Sequence, residues 1–228
     1  SYGKEVAFKI AETLAREGLL VVSGLAVGID SSAHEGALAG EGVTWAVLGS
    51  GFDNIWPSRN LALANSIVQK DGALITEYPP ETKGKYFTFP ERNRIIAGLS
   101  QLIIVIEAPE KSGALITARL ALEAGREVAV VPADISRTNF IGSNRLLREG
   151  AHPILIPADA LYLIGKGPNE KNVRLDKLDE FTQALLRCLE EPKSADEIIF
   201  ETKLEPSILS QKLMALEIKN LIKQKSGL

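Results

Sequence analysis

The chain has 228 residues, a formal charge of −3, and 45% hydrophobic against 24% charged residues. That balance fits a folded chain of one large domain, or one plus a small one, and excludes disorder, collagen and coiled coil as the main theme. The longest aliphatic run, Leu102 to Ile106, is far short of the ~20 residues of a membrane span. Cys188 is the one cysteine, so an internal disulfide is impossible and a reducing cytoplasm is the expected compartment. Two histidines and one cysteine argue against a zinc site.

Val6, Ile10 and Leu14 recur every four residues with Ala7, Ala11 and Ala15 beside them, which predicts a helix that Gly18 stops. Branched apolar runs follow at 19–22, 44–48, 73–75, 102–106, 128–131 and 154–156. Each is too short for a typical helix and does not alternate, so each reads as a strand buried on both faces. Helical stretches lie between them at 30–39, 58–70, 91–98, 112–124 and 143–149. Strand alternating with helix predicts an α/β fold, a parallel sheet covered by helices on both faces. Ligands in such sheets bind at the carboxyl ends of the strands. A doubly wound domain ordinarily opens with a strand, yet this sequence opens with a helix and with Ser1 rather than Met. A strand and a glycine-bearing turn ahead of Ser1 are therefore expected, and with them a gap beside the 19–22 strand.

Residues 166–177 read as a linker, with Gly167, Pro168, Asn169 and Asn172. Leu178, Phe181, Leu185, Leu186 and Leu189 then mark an amphipathic helix. Ser194 and Glu197 spell the capping box of a second helix running to Glu201. Pro206 opens a third, which carries Leu209, Leu213 and Leu216, and Leu221–Ile222 is strand-like. Three short helices and a β element suggest a small winged-helix-like domain over 178–228, behind a main domain of 1–165. Residues 176–228 hold 8 Lys+Arg and 10 Asp+Glu, and Lys212 is the one cation of the third helix. That domain is expected to contact protein, or the other domain, rather than duplex DNA.

The chemistry must sit in the loops after the strands. The first is Ser23-Gly24-Leu25-Ala26-Val27-Gly28-Ile29-Asp30. Its glycines let backbone N–H groups approach an anion at a helix N-terminus, and a tight strand-to-helix turn is the equal alternative. Gly49-Ser50-Gly51 lacks the third glycine of the dinucleotide fingerprint, Asn54 standing there, and no P-loop signature exists. Residues 83–94 hold Lys83, Lys85, Arg92 and Arg94 against Glu91, interleaved with Tyr86, Phe87 and Phe89. Cations beside aromatics suit single-stranded nucleic acid. The alternative makes Phe87 and Phe89 core anchors and the arginines caps of the sheet edge.

Lys111-Ser112-Gly113-Ala114-Leu115-Ile116-Thr117 opens a helix after the fourth strand run. Ser112 is a natural N-cap and Lys111 adds positive potential beside it. Arg137, Arg145 and Arg148, with Gly142 and Asn144 among them, form either a second phosphate stripe or a solvated helix face. Asp30, Ser31, Ser32 and His34 lack the nucleophile elbow of a hydrolase. A capping aspartate and a packed histidine are expected there. Glu77 and Glu107, near strand ends, are expected to pair with Arg92 or Arg94 rather than to move protons.

These pieces come in a fixed order. Ser23-Gly24-x-Ala26-x-Gly28-Ile29-Asp30 and Ala33-His34 precede Val47-Leu48-Gly49-x-Gly51-x-Asp53, Pro57 and Asn60. Glu77-Tyr78-Pro79 and Phe89-Pro90-x-Arg92-Asn93-Arg94-Ile95-Ile96-Ala97-Gly98-Leu99-Ser100 follow. Then come Glu107-Ala108, Ser112-Gly113-x-Leu115-Ile116-Thr117-Ala118, Gly125-Arg126-x-Val128, Pro132, Gly142-x-Asn144 and Gly150-Ala151. Over residues 2–165 the series resembles the DprA/Smf family of bacterial DNA-processing proteins, and the remainder resembles that family's winged-helix domain more loosely.

The resemblance implies an extended Rossmann-like domain that binds single-stranded DNA, protects incoming strands in natural transformation and helps load the RecA recombinase. It implies a cytoplasmic homodimer with no catalytic turnover, cofactor or metal. It maps a nucleic-acid site onto Ser23, Gly24, Gly28, Arg92, Asn93, Arg94, Lys111, Ser112, Gly113, Thr117 and Asn144. Three departures stand out. The family's opening strand and glycine-serine-arginine turn fall ahead of Ser1, Pro132-Ala133 replaces a frequent Pro-Gly, and Val27 stands where a basic residue is frequent. The competing class is an enzyme on a nucleotide or phosphoribosyl substrate, similar to the phosphoribohydrolases of the lysine-decarboxylase-like group. Their glycine-rich loop carries a catalytic glutamate, and Leu120 stands at its position here.

Overall fold

The computed structural model describes residues 1–166 and 193–218 with positions 182, 185, 186, 188, 189 and 222. It divides into two units, Ser1–Gly167 and Pro168–Leu228. The alanine stripe of the first helix governs how the first unit assembles. α1 (Tyr2–Arg16) buries Gly3, Ala7, Ile10, Ala11 and Ala15, and its small alanines let α2 (Ile29–Ala39) come close. A Cβ on Gly36 would sit 2.3 Å from the Phe8 carbonyl oxygen, and one on Gly40 2.6 Å from that of Glu12. The two helices pack backbone to backbone, which only glycine permits at those points.

The strand runs form two parallel sheets. β1 (Val21–Ser23), β2 (Thr44–Val47) and β3 (Ala73–Ile75) pair in that order, with Val22 opposite Trp45 and Ala46 opposite Leu74. α2 and α3 (Leu61–Gln69) are the crossovers. After α4 (Thr88–Leu99) the second sheet orders β4 (Leu102–Val105), β5 (Glu127–Val130) and β6 (His152–Pro153). Here α5 (Gly113–Glu123) and α6 (Ile141–Arg148) cross over. Val47, Val105, Val128 and Val130 meet Ile96 and Ala118 in one core cluster, while Ala7, Ile10, Ile106, Ala129 and Val131 make another around α1. The parallel α/β architecture is the one the alternation of runs dictates.

One strand is placed differently from the sequence expectation. The 154–156 run is not the sixth strand. Ile154 still donates its N–H to the Val130 carbonyl at 2.9 Å, but Asp159 Oδ2 then captures the Leu155 and Ile156 N–H groups at 2.7 and 2.9 Å. That turn throws both side chains outward and starts α7 (Asp159–Leu163), which is too short to leave a periodic signal.

Nor is the sheet continuous. β1 and β4 each pair on one edge only. Between them lies a cavity of 580 Å³, lined by Val21, Val22 and Ser23 on one side and Leu102 to Ile106 on the other. The helix-first order of the sequence leads one to expect a gap at this place.

In the second unit, Ser194 Oγ accepts from the Glu197 N–H at 3.3 Å and Glu197 Oε2 accepts from the Ser194 N–H at 2.7 Å. This is the expected capping box, and it opens α8 (Ala195–Thr202). α9 (Pro206–Ile218) follows, and Leu209 and Leu216 pack with Leu185 and Ile198. Residues 167–181, most of the predicted 178–189 helix and Leu221 lie outside the described residues. Among the described residues no helix is long and apolar enough to cross a membrane.

Candidate nucleic-acid interface

The loop after β1 is held by its own polar side chains. Leu25 is fully buried and takes a left-handed φ of 59°, a costly conformation for a bulky residue. Asn60 Nδ2 fixes it by donating to the Leu25 carbonyl at 2.7 Å and to Ser31 Oγ at 2.9 Å. Asp30 Oδ2 accepts from the Ala26 N–H at 3.1 Å, and Ser31 Oγ donates to the Ala26 carbonyl at 2.8 Å. Gly28, at φ 109°, then opens α2. His34 is buried with Nδ1 2.7 Å from Thr44 Oγ1, and burial pushes its pKa down to about 4. Asp30 thus holds the loop and His34 packs in the interior, as the sequence suggests.

α4 separates the two arginines of the Arg92-Asn93-Arg94 string. Arg92 is only 5% exposed. Its Nη1 donates to the Gly24 carbonyl at 2.7 Å and also to the Val47 carbonyl, which ties the first loop to the end of β2. Glycine at position 24 leaves room for this contact, since a Cβ there would lie 2.5 Å from Arg92 Nη1 and displace the guanidinium. Burial presses the Arg92 pKa down while Asp30 and Tyr78 oppose the shift. Asn93 Nδ2 reaches the Gly113 carbonyl at 3.3 Å and so links α4 to the start of α5. Arg94 points outward and pairs with Glu77. Glu77 thus has the arginine partner expected of it. Glu107 does not, because its Oε1 accepts from the Gly3 N–H at 2.9 Å and holds the first turn of α1.

Around these walls runs an exposed rim. Tyr86 is 89% exposed, and Lys85 Nζ lies 5.7 Å from the centroid of the Phe87 ring, itself exposed. Phe89 is the anchor of the group. It packs against Trp56 with centroids 5.2 Å apart and the rings tilted by 47°, and fills the space above Gly49 and Gly84. Thr88, buried, donates to the Gly49 carbonyl at 2.6 Å and sets this loop on the end of β2. Lys83 and Lys111 are exposed. Ser112 caps α5 by accepting from the Ala114 N–H at 3.2 Å, and Thr117 Oγ1 lies 3.3 Å from the Gly113 carbonyl.

Ser23, Arg92, Asn93, Gly113 and Thr117 all line the cavity between the sheets. Gly24 touches them through Arg92. Asn144 stands apart from this group, clasping both the N–H and the carbonyl of Ala133 at 3.3 and 3.0 Å. Arg145 pairs with Glu149 at 2.7 Å, which favours a solvated helix face over a second stripe. Sequence reasoning overlooked Trp56, 58% exposed, although its place just past Gly49-Ser50-Gly51 was the available signal. Leu120 packs against the core of α5 and β4, so a phosphoribohydrolase glutamate has no counterpart at that position.

Residues 1–165 match the DNA recombination-mediator protein A family. The chain belongs to that family. Protein Smf of Escherichia coli (strain K12) is 44% identical over 160 residues, which are 70% of this chain and 43% of Smf. The DNA processing protein A structure from Streptococcus pneumoniae superposes with a TM-score of 0.66 at 39% identity, over 71% of this chain and 56% of that one. A Helicobacter pylori DNA processing protein A, described for its unique single-stranded DNA binding mode, gives 0.64 at 31% identity over 71% and 73%. The chain thus spans less than half the length of Smf. These family members share the Rossmann-like arrangement of parallel strands and covering helices seen in the first unit.

Proposed function

We propose that this chain binds single-stranded DNA at the carboxyl ends of β1 to β4, protects it in DNA processing during natural transformation, and passes it to the RecA recombinase. The observation that carries this reading is the division of labour in α4 and its flanks. Buried Arg92 and Asn93 shape the floor, while Arg94, Lys85, Lys111 and the Tyr86 ring stand exposed on the rim. Exposed cations meet phosphates and an open ring stacks on any base, so the rim suits a strand without regard to sequence. This reading assigns Ser23, Gly24, Gly28, Ser112, Gly113 and Thr117 to the approach of the phosphates, where backbone N–H groups at the α2 and α5 starts favour an anion. The single-stranded DNA binding of the Helicobacter pylori relative supports the reading.

The protein acts in this reading without turnover, as a cytoplasmic homodimer. The test is fluorescence anisotropy with a labelled ~30-mer, single-stranded against duplex, across a salt series. Preference for the single strand with a steep salt slope is the expected result. Equal or absent binding at low salt overturns the proposal. Faster RecA filament growth on the bound strand tests the second half of it.

A further inference from the structure

We propose that Trp56 is a stacking platform for an unpaired DNA base, and that a bound strand runs from the Tyr86 rim across the loop after β2 to reach it. This rests on the proposed function and adds to it a residue and a path. The exposure of the indole is imposed by its neighbours in the chain. On one side Ile55 packs with the cluster of Leu25, Ala46 and Leu48, and on the other Pro57 is buried. With the backbone anchored at both points, the ring stays outside, 58% exposed. The loop that carries it is stapled down. The Gly51 N–H donates to the Thr82 carbonyl at 2.8 Å, the Asp53 N–H to that of Pro80 at 3.0 Å, and Asn54 Nδ2 to that of Glu81 at 2.9 Å. A Cβ on Gly51 would lie 2.0 Å from the Pro79 carbonyl oxygen, so the two segments run in backbone contact. A ring held in place before its ligand arrives loses little ordering entropy on binding.

The neighbours of the ring give the path. Tyr86 and Phe89 both line the cavity between the sheets, and Trp56 does not. Phe89 links the two exposed rings, because it shares the cavity wall with Tyr86 and packs against Trp56 on its other contact. The staples to 80–82 set the Trp56 loop over the ends of β2 and β3. A strand that covers both rings therefore crosses the carboxyl end of β2. Charge then decides what Trp56 offers it. The exposed charges of 51–59 and 79–84 are Asp53 and Glu81 against Arg59 and Lys83. Two acids offset two cations, so no net positive field draws a phosphate to this place, and the flat face of the indole is the remaining attraction. Every base has such a face, and a single strand leaves it open.

The chain has two tryptophans, and Trp45 lies in β2, so Trp45→Phe leaves Trp56 as the one indole that reports. Its emission is followed while a ~30-nucleotide thymidine strand is added, with anisotropy of the labelled strand read in parallel. Quenching that saturates together with the anisotropy is the expected result. In the wild-type background Trp56→Ala should weaken binding about tenfold and Trp56→Phe by less, with the salt slope unchanged, because no phosphate contact is lost. On an abasic strand of the same length, wild type and Trp56→Ala should bind alike. Saturable anisotropy without quenching overturns the platform and leaves the proposed function standing. So does a Trp56→Ala variant that binds normally, that has a lower salt slope, or that is equally impaired on the abasic strand. An emission change on concentrating the protein without DNA assigns the ring to contact with a second copy and refutes its role as a base platform. No binding of either strand overturns the proposed function, and the platform falls with it.

Discussion

The two sheets of the first unit hold their strand-end loops by different means. In the β1–β3 half, buried side chains reach into the backbone. Arg92 holds the Gly24 and Val47 carbonyls, Asn60 that of Leu25 and Thr88 that of Gly49. In the β4–β6 half the Gly142 and Ser143 N–H groups share the Ala108 carbonyl at 2.9 and 3.1 Å, and the side chains that hold loops there, Asn144 on Ala133 and Asp159 on Leu155 and Ile156, are only half-buried. A loop held by side chains can keep an irregular path, such as the left-handed Leu25, at the cost of depending on a few residues. The first half is therefore the fragile half, and substitutions there should separate stability from binding.

Arg92→Ala gives the largest effect. It leaves two carbonyls without their charged donor and opens more space in the cavity wall, so we expect a loss of about 3 kcal/mol or more in denaturant unfolding. If stability is unchanged, the contrast between the halves fails. His34 comes next, through pH. Its folded pKa of about 4 lies below the ordinary 6.5, so the unfolded state takes up the proton first as pH falls. Stability should drop between pH 6.5 and about 4, with a slope approaching ~1.4 kcal/mol per pH unit from this group. His34→Gln, followed by unfolding at pH 4.5, 5.5 and 7, should flatten that slope.

Asn60→Ala releases the Leu25 carbonyl and should cost about 1–2 kcal/mol, read by urea unfolding. Asn144→Ala, the corresponding clasp in the other half, should cost less, because Ala133 is only half-buried. Arg94→Ala is the smallest for the fold. It should leave stability unchanged, weaken single-strand binding for every sequence and reduce the salt slope by about 0.7. An Arg94 variant that binds normally would move the phosphate contacts elsewhere on the rim.

Much of the architecture is legible in the sequence because branched runs and alanine–leucine periodicity depend on burial alone. The 73–75 run is a strand to the residue. The site is legible as a set of loops but not as a set of roles. Arg92 and Arg94 are two apart on a helix and so face nearly opposite ways, and composition treats them alike. The signal lay one turn on, where Ile96 and Ala97 mark the face that Arg92 and Asn93 share. The sixth strand was misplaced because Leu155 and Ile156 are as apolar as core residues. A single aspartate four residues beyond Leu155 decides their fate through two hydrogen bonds. The reach of Asn60 to Leu25 is set by tertiary approach and leaves no local pattern.

α1 touches both halves. Its small residues interlock with α2 at Gly36 and Gly40, while Ile10 packs with Ile106 and Val131 of the second sheet and Gly3 is tied to Glu107. Mechanically it is a tie bar across an open seam. A force that pries β1 from β4 must first shear a helix pair interlocked at the level of the main chain. The position of one sheet against the other is thus fixed by helix packing as well as by the strand-to-strand connections.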